Sequence, residues 1–253
     1  MNAMSTALRV EWSKTRASRV VAATTGLTVA GIAAIVLAFR AVAAGGDPDL
    51  LAKLGEAGAA PGWPGLTATA LQVSGPALLL GITVLVSWFM GREFADGTVT
   101  GLYALSVGRG QLAAAKLVLA VLVSAVMGAV LALVLLVGGV ILGYGLPSAD
   151  DAAVLVRLAV LAPFSAVVAT PVALAATIGR GLLAGVATGF VLVAAAQVLV
   201  VAGAGPWFPT AAPPLWALMP DAVAPLAVVV ALAVGVLVGV ITGWMWRRLQ
   251  LDR

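Results

Sequence analysis

Apolar runs of about twenty residues or more recur along this 253-residue chain, and they constrain it more than any other feature of the sequence. A helix rises about 1.5 Å per residue, so about 20 apolar residues span a hydrocarbon core of about 30 Å. Six such segments stand out, at residues 20–39, 67–90, 112–143, 154–178, 181–202 and 223–246. They predict an all-α integral membrane protein with six transmembrane helices in one domain covering residues 1–253. The third run is 32 residues long. It exceeds the hydrocarbon thickness by several turns, so its 111–116 end is expected to project from the membrane or lie obliquely in the interface.

Composition supports this reading and removes most chemistry. The chain is 62% apolar and 9% charged, with a mean hydropathy of +1.15. It has no Cys and no His, hence no disulfide, thiol nucleophile, imidazole base or soft metal ligand. No catalytic residue and no metal site are expected. The first apolar run follows a basic flank and lacks a small-residue cleavage site, which suits a retained span better than a signal peptide. The sequence pI near 10.1 does not point to nucleic acid, because the basic residues flank apolar runs rather than share a soluble face.

Those basic residues set the orientation. With six spans and both termini on one side, that side receives Arg9, Lys14, Arg16, Arg19, Arg92, Arg109, Lys116, Arg180, Arg247, Arg248 and Arg253. The opposite side receives Arg40, Lys53 and Arg157. Both termini and the segment between spans two and three are therefore expected in the cytoplasm. The outer 45–66 loop has room for a short interfacial helix around residues 50–57, with Trp63 suited to the headgroup layer. Residues 205–221, GPWFPTAAPPLWALMPD, are too apolar for an ordinary loop and too Pro-rich for a continuous helix. Two readings stay open there: a re-entrant or interfacial element, tolerated where protein or water satisfies its backbone, and an aromatic-anchored outer loop.

Between spans two and three lies GREFADGTVTGLYALSVGRGQLAAAK, with five charged residues between runs that carry almost none. An ionised Glu93 is costly inside lipid and is expected at the boundary or beyond it. Gly97 can break the helix, and the Thr98 hydroxyl can cap a following turn. A short exposed helix then fits residues 99–105, offering Leu102 and Tyr103 for contact before Gly108 and Arg109 lead into span three. The amino-terminal stretch, with Glu11, Trp12, Lys14 and Arg16, is expected to form a moderately amphipathic interfacial helix. On a helical wheel Met4, Ala7, Leu8 and Trp12 share a sector that Glu11 and Thr15 interrupt.

The pattern E-F-x-x-G-T-x-x-x-L, followed by S-V-x-R and a Lys seven residues later, resembles the corresponding segment of ABC-2-type ABC transporter permeases. Glu93, Phe94, Gly97, Thr98, Leu102, Val107, Arg109 and Lys116 carry the match, while Ser106 stands where that family frequently has Pro. The E-x-x-K-x-R pattern from Glu11 to Arg16 is similar to the family's opening, and the 213–221 segment to its outer stretch before the last span. The resemblance implies a cytoplasmic coupling helix at residues 97–105, with Glu93, Phe94, Gly97, Thr98, Leu102, Tyr103 and Arg109 serving contact with an ATPase subunit. It also implies a second permease copy or paralogue, export of a small amphiphile, drug, peptide or lipid, and a bacterial-type plasma membrane as the location. Gln72 and Gln197, costly to expose to lipid, are candidates for a substrate path, with ordinary helix-to-helix hydrogen bonding as the alternative.

No acid or base lies near the middle of a span, which disfavours an ion-driven carrier. No G-x-x-x-x-G-K-[ST] phosphate loop is present, so ATP and Mg are expected on a partner subunit, with no cofactor on this chain. An intramembrane enzyme would need a Ser–His pair, an acid pair or a metal cluster within the spans, and the sequence offers none. A non-transporting assembly or regulatory membrane subunit is the remaining alternative.

Overall fold

A computed structural model describes residues 3–46, 48–98, 101 and 107–249. Among these residues the chain is helical and has no strand. Helix α1 (Ala3–Arg16) precedes α2 (Arg19–Ala44), α3 (Pro48–Ala59), α4 (Gly62–Ala95) and α5 (Arg109–Ile141). There follow α6 (Ala149–Val168), α7 (Thr170–Ile178), α8 (Leu182–Val201), α9 (Ala212–Leu218) and α10 (Pro225–Arg248). Six of the resulting spans are long and apolar enough to cross a membrane: α2, α4, α5, α6 with α7, α8 and α10. Several run past the apolar stretches that mark them, because a helix continues beyond the hydrocarbon once its ends are polar.

The ends have local causes. Ser18 caps α2 by accepting a hydrogen bond from the Val21 N–H at 3.2 Å, and Ser148 and Asp151 cap α6 reciprocally, with two acids in the first turn favouring the helix dipole. Helix α4 stops at Ala95, and Gly97 follows with φ +65°, a left-handed conformation that glycine adopts without a Cβ penalty.

The 154–178 run is not one continuous helix, as its hydropathy suggests. It breaks at Ala169, where Pro171 opens α7; the proline ring leaves no N–H for the carbonyl of Val167. Helix α10 seals the break. The Thr170 hydroxyl donates to Gly235 O at 2.6 Å, and a Cβ on Gly235 would stand 2.3 Å from Val167 O. Pro163 does the same to Ala159 about two turns earlier, and a Cβ on Gly128 of α5 would lie 2.2 Å from Ala159 O. In both places a proline frees a carbonyl and a glycine on a neighbouring helix lets its backbone close over it.

Helix α4 is the most buried span and α8 the least. Helices α2, α5, α6, α7 and α8 pack around α4, and α8 approaches it at Gly185 and Gly189, opposite Ser87 and Thr83. On the far end, Trp63 is 5% exposed. It fills a slot against Gly139, edge-on to Tyr144, so it is a core residue and not the headgroup anchor that its position suggests. Arg40 is buried beside it, with its guanidinium donating to Gly58 O and Ala60 O at 2.5 and 2.8 Å. It thereby ties α2 to the corner between α3 and α4. Residues 205–222 form two 3-10 turns flanking the short helix α9, which packs on α4 and α6 through buried Ala212, Pro213 and Ala217.

Candidate coupling site

At the opposite end of the bundle, three helices bring their charges together. Helix α1 lies against α5 and buries Ala7, Glu11 and Thr15, one residue per turn on a single face. Glu11 and Thr15 are the residues that break its apolar sector. Trp12, on the apolar side of the wheel, is instead 46% exposed, and Arg16 is exposed as well. The face that meets the protein is thus the one carrying the acid, because a complementary charge waits there.

That charge is Lys116, which is 0% exposed. Its ammonium donates to Glu11 Oε2 at 2.8 Å and to Glu93 Oε1 at 2.9 Å. Lys14 closes the ring, with its Nζ 2.9 Å from Glu11 Oε1 and 3.2 Å from Glu93 Oε1. The second Glu93 oxygen accepts from the Thr98 hydroxyl at 2.8 Å, so Thr98 reaches back to the end of α4. Arg92 Nε lies 3.5 Å from Glu93. Two carboxylates face two ammonium groups, so the inner cluster is neutral by formal charge.

Burial of these ions is costly unless each is paired and hydrogen-bonded, and here each is. Glu93 is 3% exposed and meets its cations at the end of α4. The long amino-terminal end of α5 is likewise covered. Leu112, Ala113, Ala115 and Lys116 are all buried, with α1 packed against α5.

An aromatic floor supports the cluster from α10. Lys116 Nζ lies 6.0 Å from the ring centroid of Trp246, which Phe94 meets edge-on at 5.9 Å. The indole N–H donates to Thr177 Oγ1 at 3.0 Å, and that hydroxyl donates to Ala173 O at 2.8 Å. Helices α1, α4, α5, α7 and α10 therefore meet at one point. Two residues before Glu93, Gly91 admits the turn between α7 and α8: a Cβ there would lie 2.7 Å from Leu182 N. Arg180 in that turn has φ 48°.

Of the residues singled out from the sequence, Glu11, Lys14, Glu93, Phe94 and Thr98 converge here. Arg109 stands apart, its guanidinium donating to Leu249 O and Arg247 O at the end of α10, a cation on the last carbonyls of a helix. Leu102, Tyr103 and Ser106 lie outside the described residues, as does most of the 97–105 segment. Trp246 and Thr177 were not foreseen, since nothing local to α10 or α7 marks them. Gln72 and Gln197 both line a cavity of about 180 Å³ between α4, α8 and α9, together with Thr210 and Pro214, and both are exposed on the chain.

The family model described as ABC-2 family transporter protein matches residues 7–196. No curated protein and no solved structure matches the chain. The match spans α1 through most of α8 and takes in Glu11, Lys14, Glu93 and Lys116, and on that ground this multi-pass membrane protein belongs to the ABC-2 family of transporter proteins.

Proposed function

We propose that this chain is the membrane-spanning permease subunit of an ATP-driven transporter, energised by a separate ABC ATPase that binds ATP and Mg and docks on residues 97–105. The observation that carries this reading is the buried cluster of Glu11, Lys14, Glu93 and Lys116. Thr98, the first residue past the Gly97 break, is bonded directly to Glu93. A push on the segment after Gly97 is therefore delivered to α1, α4 and α5 together and not to one helix.

The end bearing the cluster is cytoplasmic, because ten of the eleven basic residues assigned to that side lie on described parts of α1, α2, α4, α5, α10 and the α7–α8 turn. Two permeases, identical or paralogous, face each other through α4 and α8. Gln72 and Gln197 then line the path of an exported amphiphile, peptide, drug or lipid in a bacterial-type plasma membrane. The exposed face of α8, the least buried span, suits such a contact.

The test is co-purification of the tagged chain with a candidate ATPase expressed beside it. The cysteine-free background also permits single-cysteine labelling. Ser13→Cys is expected to label only from the cytoplasmic side, and Leu146→Cys only from outside. Absence of a complex, or the reverse labelling pattern, would overturn the proposal.

A further inference from the structure

Thr210 stands between the first 3-10 turn and α9 and is 4% exposed. Its hydroxyl has no hydrogen-bond partner among the described residues, although an unpaired buried hydroxyl is costly in apolar surroundings. Thr210 lines the cavity of about 180 Å³ between α4, α8 and α9. A buried polar group that faces a cavity is satisfied by whatever enters it.

Two close approaches build this cavity into the fold. A Cβ on Gly75 of α4 would lie 3.0 Å from Pro214 Cβ of α9, and one on Gly205 would lie 2.7 Å from Val200 Cγ2 of α8. The segment that carries Thr210 is thereby held against both spans. Gly75 also stands eight residues inside the 67–90 apolar run, or about 12 Å along the helix. At that depth an ion is costly without a countercharge. Among the described residues the polar side chains of the lining are one hydroxyl and two amides, those of Thr210, Gln72 and Gln197. Such groups pair with neutral donors and acceptors. An apolar cavity of about 150 Å³ admits benzene, so this one has room for a single ring or a head group of similar size.

We infer that this cavity is a binding site for an uncharged, hydrogen-bonding head group, an amide or alcohol of about one ring's size, and that Thr210 selects it. The inference rests on the transport reading only in calling the occupant cargo; the binding belongs to this chain alone and needs no ATPase. Apolar side chains such as Leu71, Val193 and Leu215 hold the body of the molecule, and the Thr210 hydroxyl fixes its polar end.

The test is protection from thiol labelling in phosphatidylcholine nanodiscs. Val200→Cys, on the cavity wall and 36% exposed, gives the cysteine-free chain a single thiol. Its reaction with N-ethylmaleimide is followed in the presence of benzamide, toluene, benzoate or benzylammonium. Benzamide is expected to protect at lower concentration than either ion. Thr210→Val removes the hydroxyl and keeps the shape. It should raise the half-protecting concentration of benzamide about fivefold, the effect of one net hydrogen bond, and leave that of toluene unchanged. Thr210→Ser should retain the benzamide value. The melting temperature of Thr210→Val should equal or exceed that of wild type, since the hydroxyl it removes has no protein partner. No protection by benzamide, protection by an ion at equal or lower concentration, or an equal change for benzamide and toluene in Thr210→Val would overturn the inference. Failure of the ATPase complex with selective protection intact would sink the transport reading alone, and an intact complex without protection would sink this one alone.

Discussion

Lys116 on α5 donates to Glu11 on α1 at 2.8 Å across a separation of 105 residues, and both side chains are essentially out of contact with solvent. The pair fixes a surface helix to the core of the bundle by charge rather than by apolar packing. Its strength depends on mutual compensation, since removing one partner of a buried pair costs roughly 3–5 kcal/mol by leaving the other charge uncompensated.

Lys116→Met is therefore expected to destabilise the protein by about that amount, because Glu11 would keep only Lys14, which it shares with Glu93, and Glu93 would add only Arg92 at 3.5 Å. Removing Glu11 as well leaves Glu93 with Lys14 at 3.2 Å and restores balance. The double variant Glu11→Gln/Lys116→Met should then cost less than the sum of the singles by roughly 0.5–3 kcal/mol. Denaturation in detergent followed by circular dichroism measures each corner of the cycle, and additive losses would count against the pairing.

Arg40 joins α2 to the corner between α3 and α4 through two carbonyls. Arg40→Met should loosen that corner and expose it to limited proteolysis around residues 55–62. Arg40→Lys should give partial protection at best, because a single ammonium lacks the planar fork that reaches both oxygens. Cleavage no faster than wild type in Arg40→Met would contradict this role.

The glycines divide into two groups by what surrounds them. Gly235→Ala drives a Cβ to 2.3 Å from Val167 O and should lower stability by about 1–3 kcal/mol, since backbone must shift. A Cβ on Gly26 in α2 meets nothing within 4 Å, and Gly26→Ala should be neutral or stabilising by up to about 1 kcal/mol. Melting temperatures of the two variants should move in opposite directions, or only the first should move.

Hydropathy made the six spans legible, because lipid demands long uninterrupted apolar runs. It did not reveal which side of each helix faces protein. Glu11 and Thr15 look like flaws in an apolar sector of α1, yet they are its inward face; the signal that reverses the reading sits on α5, far along the chain. Trp63 invites assignment to the headgroup layer by residue type, and only the slot at Gly139 shows it to be core. The break at Ala169 was written in Pro171, but the apolar run continues through it and hides the change of helix. The motif marked Glu93 and Lys116 but not that they meet, and Trp246 and Thr177 came from regions with no charge or motif to mark them.

The most direct measurement is stimulation of the proposed partner ATPase by this chain in proteoliposomes, comparing wild type with Glu93→Gln in complexes of matched stoichiometry. The amide keeps the volume of the side chain and an acceptor for Thr98, but removes the charge that holds Lys116 and Lys14. Intact assembly with stimulation lowered about tenfold or more is the predicted result. Intact assembly with wild-type stimulation would show that force from the 97–105 segment does not pass through the Glu11–Lys116–Glu93 cluster.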